Sequence, residues 1–178
     1  MSLFKKKKIP LEGALIIQPK ISKDKRGAFK NFFEDKEFKN ILKKFKVNQL
    51  NISHNLLKGT IRGLHYQEKP FEEKKLIFCI KGRVWDVIVD LRKSSKTYLQ
   101  WYGIEISKEN SKIIFIPKGF AHGFQTLTPN TELVYLHDGR YNKKYENGIY
   151  YNDKILKIDW PLKVKNISVK DLKLKKIK

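Results

Sequence analysis

From residue 47 to residue 137 the chain is a succession of short β-type runs, each cut off by turn residues before it grows long. Apolar, aromatic and β-branched residues cluster at 47–53, 60–67, 75–80, 83–90, 98–106, 113–116, 123–127 and 133–137. Lys81-Gly82 is a tight hairpin link, and 107–110 and 128–130 are polar turns. Many short strands at even spacing, with hardly any helix, predict an antiparallel sandwich or barrel, of which the jelly roll is one form.

The first third is less regular. An apolar run at 14–18 ends at Pro19, Asp24-Lys25-Arg26-Gly27 is a turn, and 29–33 resumes extended structure. The one helix signal follows: Asp35 is a capping residue, and Phe38, Ile41, Leu42 and Phe45 recur at the spacing that makes a single apolar stripe. That stripe belongs to the core. The lysine-rich C-terminal extension carries Leu172, Leu174 and Ile177, which could pack or fray. There is no internal repeat and no linker, so residues 1–178 are expected to form a single domain. At 178 residues and 40% hydrophobic, such a domain buries roughly 70% of its unfolded surface.

The formal charge of +21 first suggests nucleic acid. The lysines, however, are spread along the chain, with thickenings only at 5–8 and 163–178, and arginine is scarce. An anionic small molecule steered by the field fits better, and biased composition would also account for the lysines. Cys79 is the only cysteine, so no intrachain disulfide forms, which suits a reducing cytoplasm. Within the apolar run Leu76-Ile77-Phe78-Cys79-Ile80 it reads as a buried hydrophobe. No signal peptide and no apolar run of membrane-spanning length is apparent. Neither a membrane nor nucleic acid is expected as a partner.

The chemistry gathers around Arg62-Gly63-Leu64-His65-Tyr66-Gln67, a run that alternates Leu64 and Tyr66 against Arg62, His65 and Gln67 and so reads as a strand with one polar face. A lone strand histidine is ordinarily a packing or surface residue. Here Lys75, His122, Tyr135 and Asp171 offer a cation, a further imidazole, a phenol and a carboxylate. A base, an acid, a cation and an orienting carboxylate are what proton abstraction beside a carbonyl requires. Pro117-x-Gly119-x-x-His122 has the spacing of metal-binding cupin barrels, yet the strand that should supply two histidines offers His65-Tyr66-Gln67. With glutamine in place of the second ligand, no metal is expected. Tyr135, in an apolar strand, is either packing or a phenol facing a polar barrel interior.

Taken together, the motifs resemble the dTDP-4-dehydrorhamnose 3,5-epimerase family of nucleotide-sugar epimerases. The resemblance is carried by Asp24-x-Arg26-Gly27, Gln49-x-Asn51, the Arg62 to Gln67 run and Lys75. It continues through Gly82-x-Val84-x-Asp86-Val87-x-Val89-Asp90-Leu91-Arg92, Ile116-Pro117-x-Gly119-Phe120-Ala121-His122-Gly123-Phe124, Tyr135, Asp159-Trp160-Pro161 and Ser168-x-Lys170-Asp171. It implies a cupin-type antiparallel jelly-roll barrel with one short N-terminal helix, and a homodimer that shares N-terminal strands. The implied substrate is a nucleoside-diphosphate 4-keto-6-deoxy sugar. Epimerisation at C3, C5 or both would proceed by proton abstraction and return through an enolate, in the cytoplasm and without a cofactor. The resemblance assigns the base to His65, its carboxylate partner to Asp171, enolate stabilisation to Lys75 and the returning proton to Tyr135. Arg26, Arg62 and Lys170 match positions that meet diphosphate or sugar, and Gln49, Asn51, His122 and Glu146 match other substrate contacts.

Four positions, in three departures, differ from the family pattern. Ile52 replaces a histidine, Asn31 stands where a substrate-binding glutamate is usual, and Ala28 and Arg140 replace aromatics near the nucleobase. The last two changes widen a stacking slot and place a guanidinium at its edge, a shape suited to guanine. A GDP-linked sugar, a heptose among them, is therefore the expected substrate of surface polysaccharide synthesis. The alternative is the dTDP-linked substrate of the rhamnose pathway. From other classes, a metal-dependent cupin enzyme or a non-catalytic sugar-nucleotide binding module would share the fold.

Overall fold

A computed structural model describes residues 2–42 and 44–177. Its strands are β1 (Phe4–Lys8), β2 (Leu15–Pro19), β3 (Ile21–Asp24), β4 (Gly27–Lys30), β5 (Gln49–Asn55), β6 (Thr60–Gln67) and β7 (Lys75–Lys81), followed by β8 (Arg83–Asp90), β9 (Trp101–Ser107), β10 (Ile113–Ile116), β11 (Phe120–Thr126), β12 (Thr131–His137), β13 (Glu146–Gly148) and β14 (Asn166–Ile167). Helices are α1 (Asp35–Leu42) and the single turn α2 (Val169–Leu172). One sheet runs β1-β2-β10-β7-β12-β5 and the other β13-β6-β11-β8-β9, with β14 added to β6; β3 and β4 form a separate hairpin. Every strand pair is antiparallel except β14 with β6. This is the expected jelly-roll barrel of cupin type.

Three apolar clusters explain why the two sheets hold together. Ile16, Ile77, Ile114 and Leu133 of the first sheet meet Ile88, Ile106, Phe120 and Phe124 of the second, and this seam fills the barrel. Outside the first sheet, Phe38, Leu42 and Phe45 pack on Phe4, Ile17, Phe78 and Phe115. Outside the second, Leu156 and Ile158 cover Leu64, Val87 and Val89. Sheets buried on both faces read as continuous apolar runs, which is why β7, β8 and β10 lack clean alternation.

The structure corrects or completes the sequence reading in several places. The lysines at 5–8 form β1, an edge strand with Phe4 inward and the four lysines exposed; charge on an edge discourages further pairing. Glu34, not Asp35, caps α1, accepting from the Lys36 and Glu37 amides at 3.2 and 2.8 Å. The run at 98–106 becomes strand only at Trp101, because the buried Asp90 carboxylate gathers Arg92, Ser95 and Thr97 into turns ahead of it. Finally, the C-terminal extension packs: β14 joins β6, and α2 buries Asp171.

Candidate active site

The cavity lies at the mouth of the barrel, between β6 and β11 of one sheet and β5, β7 and β12 of the other. Its volume is about 280 Å³. Arg62 and His65 both line it although they are three residues apart, which strict strand alternation forbids. A bulge resolves this: β6 and β11 pair His65 with His122 and Arg62 with Phe124, and the register shifts between them. The shift needs glycine. A Cβ on Gly63, whose φ is 111°, would stand 2.6 Å from the His122 carbonyl oxygen and 2.7 Å from Gly123 Cα.

His65 is tied from behind. Its Nε2 lies 2.7 Å from Asp171 Oδ1, and the Gly63 amide donates to the other carboxylate oxygen at 3.2 Å. Ser168 caps α2 and accepts from the Asp171 amide, so the helical turn aims the carboxylate. Burial works to raise the Asp171 carboxyl, but the hydrogen bond and charge of His65 and the Gly63 amide hold it below the usual carboxylate range. A permanent anion at Nε2 fixes the proton there and leaves the basic lone pair on Nδ1.

Across the cavity, Tyr135 on β12 is in T-shaped contact with His122, ring centroids 6.0 Å apart. Burial, and then the Asp86 charge, push its phenol well above the usual tyrosine range, so it keeps its proton as a donor. His122 Nε2 sits 2.8 Å from Asp86 Oδ2, both side chains buried. Lys75, at the start of β7, approaches Glu73 Oε1 at 3.2 Å; Glu73 Oε2 in turn lies 3.0 Å from His137 Nδ1. Arg62 donates to Asn55 at 2.8 Å.

Of the residues expected at the site, His65, Tyr135, Lys75, Asn51, Arg62, His122 and Glu146 line the cavity. Asp171 stands directly behind it. Gln49 and Lys170 are one step removed: Gln49 donates to Asn51 at 3.1 Å, and Lys170 meets Glu146 at 2.6 Å. Arg26, Asn31 and Arg140 do not line it. Arg26 pairs with Asp24 on the β3–β4 hairpin with its side chain 90% exposed, and Asn31 closes a turn onto the Phe33 amide. Glu73, His137 and Asp86 are the functional candidates that sequence reasoning missed. Period two along β12 from Tyr135 would have reached His137, and an acid set between the apolar residues Val84-Trp85 and Val87-Ile88-Val89 of β8 marked Asp86.

Other expectations can be placed as well. Cys79 is buried and its thiol is pushed up to about 11 by that burial, so it is a packing residue. Among the described residues, no three His, Cys, Asp or Glu side chains converge as metal ligands. No described helix is long and apolar enough to cross a membrane. The widened nucleobase slot is not assembled within one chain, since Ala28 lies on the β3–β4 hairpin and Arg140 is exposed beyond β12. The GDP-linked expectation therefore gains no support from the chain's own cavity.

The comparisons with known proteins point one way. The family profile for dTDP-4-dehydrorhamnose 3,5-epimerase matches residues 8–178. A dTDP-4-dehydrorhamnose 3,5-epimerase of Shigella flexneri is 41% identical over 166 residues, 93% of this chain and 91% of that protein. A Bacillus anthracis dTDP-4-dehydrorhamnose 3,5-epimerase, solved with TDP and pyrophosphate bound, superposes with a TM-score of 0.95 at 38% identity, over 98% of this chain and 99% of that one. A Legionella pneumophila dTDP-6-deoxy-D-glucose-3,5-epimerase in complex with dTDP-4-keto-L-rhamnose gives 0.93 at 38% identity, over 97% and 92%. These names favour the dTDP-linked alternative over the GDP-linked expectation. A jelly roll whose mouth gathers a carboxylate-bound histidine, a lysine and a protonated tyrosine, matched over nearly its whole length at this identity, is a nucleotide-sugar epimerase, and the chain belongs to the dTDP-4-dehydrorhamnose 3,5-epimerase family.

Proposed function

We propose that the protein is a dTDP-4-dehydrorhamnose 3,5-epimerase, acting on a dTDP-linked 4-keto-6-deoxy sugar. The observation that carries this reading is the single cavity shared by His65, Lys75 and Tyr135, with Asp171 holding His65 from behind. The 4-keto group acidifies the C3 and C5 hydrogens. His65 Nδ1 takes the proton, and the electron pair moves into an enolate whose oxygen faces the Lys75 ammonium. Preorganised charge at the point where negative charge develops is commonly the largest contribution to such a rate. Tyr135 delivers a proton to the opposite face of the same carbon, and the centre is inverted. No hydride moves, so the chemistry calls for no redox cofactor. In this reading Arg62 and Lys170 meet the diphosphate, and Gln49, Asn51, His122 and Glu146 the remaining substrate.

The proposed assembly is a homodimer in the cytoplasm. Leu50, Ile52 and Phe29 are exposed, the first two on the edge strand β5 and the last on the β3–β4 hairpin. A second copy seated there would cover this apolar surface and bring Arg26 and Asn31 to the neighbouring cavity. The test is incubation with dTDP- and GDP-linked 4-keto-6-deoxyglucose in D₂O, followed by NMR. Deuterium entering C3 and C5 of the dTDP-linked sugar, with formation of the L-configured product, is expected. Faster exchange on the GDP-linked sugar would reverse the choice of nucleotide, and no exchange on either would remove the epimerase reading.

A further inference from the structure

Behind Lys75 the polar groups are arranged in a line whose polarity can be read from one fixed end. The backbone amide of Tyr141 can only donate, and it donates to Gln49 Oε1 at 3.0 Å. This settles which end of the Gln49 amide is oxygen. Its nitrogen therefore donates onward to Asn51 Oδ1 at 3.1 Å. That contact settles Asn51 in turn, and turns the Asn51 nitrogen toward His137 Nε2 at 3.4 Å. An amide nitrogen has no lone pair to offer, and two donors would repel, so His137 Nε2 must be the unprotonated nitrogen. The imidazole proton then sits on Nδ1 and points at Glu73 Oε2, 3.0 Å away. The other Glu73 oxygen receives Lys75 Nζ at 3.2 Å.

Strand register makes this line possible. Gln49, His137 and Lys75 lie directly across from one another on β5, β12 and β7, one row over three strands. The Glu73, Lys75 and His137 side chains are 7, 12 and 9% exposed, so water does little to screen them. Burial works against the Glu73 charge, but the His137 hydrogen bond and the Lys75 charge hold the carboxyl below the usual glutamate range.

We infer that Glu73 and His137 are positioning residues for Lys75. A one-directional relay from the Tyr141 amide through Gln49, Asn51 and His137 fixes the Glu73 carboxylate, and that carboxylate holds the ammonium at its place in the cavity. The inference rests on the reading in which Lys75 faces the enolate oxygen. A flexible four-carbon side chain has no preferred direction of its own, so its aim must be set by a partner. Gln49 and Asn51 thus act on the reaction from the protein side, whatever else they touch.

Two measurements test this, one of which needs no substrate. Nitrogen-15 shifts of the resting enzyme should show His137 as the neutral Nδ1–H tautomer. Asn51→Asp places an acceptor at Nε2 and should convert His137 to the doubly protonated form. An Nε2–H tautomer in the wild type, or an unchanged ring in Asn51→Asp, would overturn the relay even if the epimerase reading stands. In the kinetic arm, Glu73→Gln and His137→Leu should lower kcat for exchange about 10–100-fold, the scale of a misaligned catalytic group, with KM changed much less. His137→Gln can both donate to Glu73 and accept from Asn51, and should recover at least about ten-fold over His137→Leu. Glu73→Gln is nearly isosteric and serves if His137→Leu does not fold. Wild-type kcat in Glu73→Gln, or His137→Gln no better than His137→Leu, would remove the positioning role. Failure of the substrate reaction in the wild type, with the tautomer as expected, would count against the epimerase reading alone.

Discussion

His65 and Tyr135 face the same cavity from surroundings that favour opposite tasks. The imidazole leans on a buried carboxylate, which stabilises the cation it becomes on taking a proton; the phenol is enclosed by apolar wall and by the Asp86 charge, which keep it protonated. His65→Asn should therefore abolish deuterium uptake at both C3 and C5, a loss of about 10²–10⁴-fold, while nucleotide binding measured by calorimetry persists. Asp171→Asn acts through the same ring, so the double variant should be little slower than the worse single one, as coupled residues behave; additive losses would separate the two. In Tyr135→Phe, His65 can still remove a proton and return deuterium to the same face. Exchange should then survive while inversion is lost, and an unaltered rate of inversion would leave Tyr135 a packing residue. His65, Asp171, Lys75 and Tyr135 could be picked out in the sequence through the family resemblance, and the structure brings three of them to one cavity with Asp171 directly behind it. Glu73 and His137 could not be picked out, since a surface-like Glu-Glu-Lys-Lys run and a histidine closing an apolar strand carry no local mark of a buried pair. Only the pairing of β12 with β7, which sets His137 across from Lys75, brings His137 to Glu73 two residues ahead of that strand.

Among the elements, strand existence was plain in the sequence, and β6, β8 and β10 fall on their expected boundaries. What the residues could not announce were features set by one buried charge or one close approach. Gly63 is the first. Its substitution by alanine drives a Cβ into the β11 backbone at a positive φ, and overpacking and backbone strain each cost about 1–3 kcal/mol. Gly63→Ala should lower the urea midpoint accordingly, and an unchanged midpoint would mean that the bulge relaxes. Asp90 is the second. Burial opposes its charge, but Arg92, Ser95 and Thr97 hold the carboxyl down at about 2, and the turns they form ahead of β9 put its start at Trp101, where the apolar residues promised strand from 98. A carboxyl depressed on folding contributes stability that is present above its unfolded value, near pH 4, and is lost as pH falls toward about 2. Asp90→Asn should cost about 2 kcal/mol at neutral pH, and the gap to the wild type should narrow to roughly half as urea melts are taken from about pH 7 to pH 3. A gap independent of pH would place the effect in the hydrogen bonds and not in the charge.

For the whole molecule, the outstanding fact is that residues expected at one site are divided between two regions of the chain. Arg26, Ala28 and Asn31 lie on or just after a hairpin that presents Phe29 at 76% exposure, whereas His65, Lys75 and Tyr135 line the cavity. Exposed apolar side chains on an edge strand and on a projecting hairpin mark an interface more often than an accident. A two-fold symmetric pair in which each hairpin completes the neighbour's cavity satisfies both observations, because a self-complementary patch contributes the same residues twice. Light scattering should give twice the 21.1 kDa chain mass. The sharper test mixes two impaired proteins, Arg26→Ala and His65→Asn, under conditions that exchange subunits. If Arg26 serves its partner's cavity, each hybrid holds one site with both residues intact, and random exchange restores about a quarter of the sites. If Arg26 instead serves its own chain, every site in the hybrid lacks one of the two residues, and mixing restores nothing.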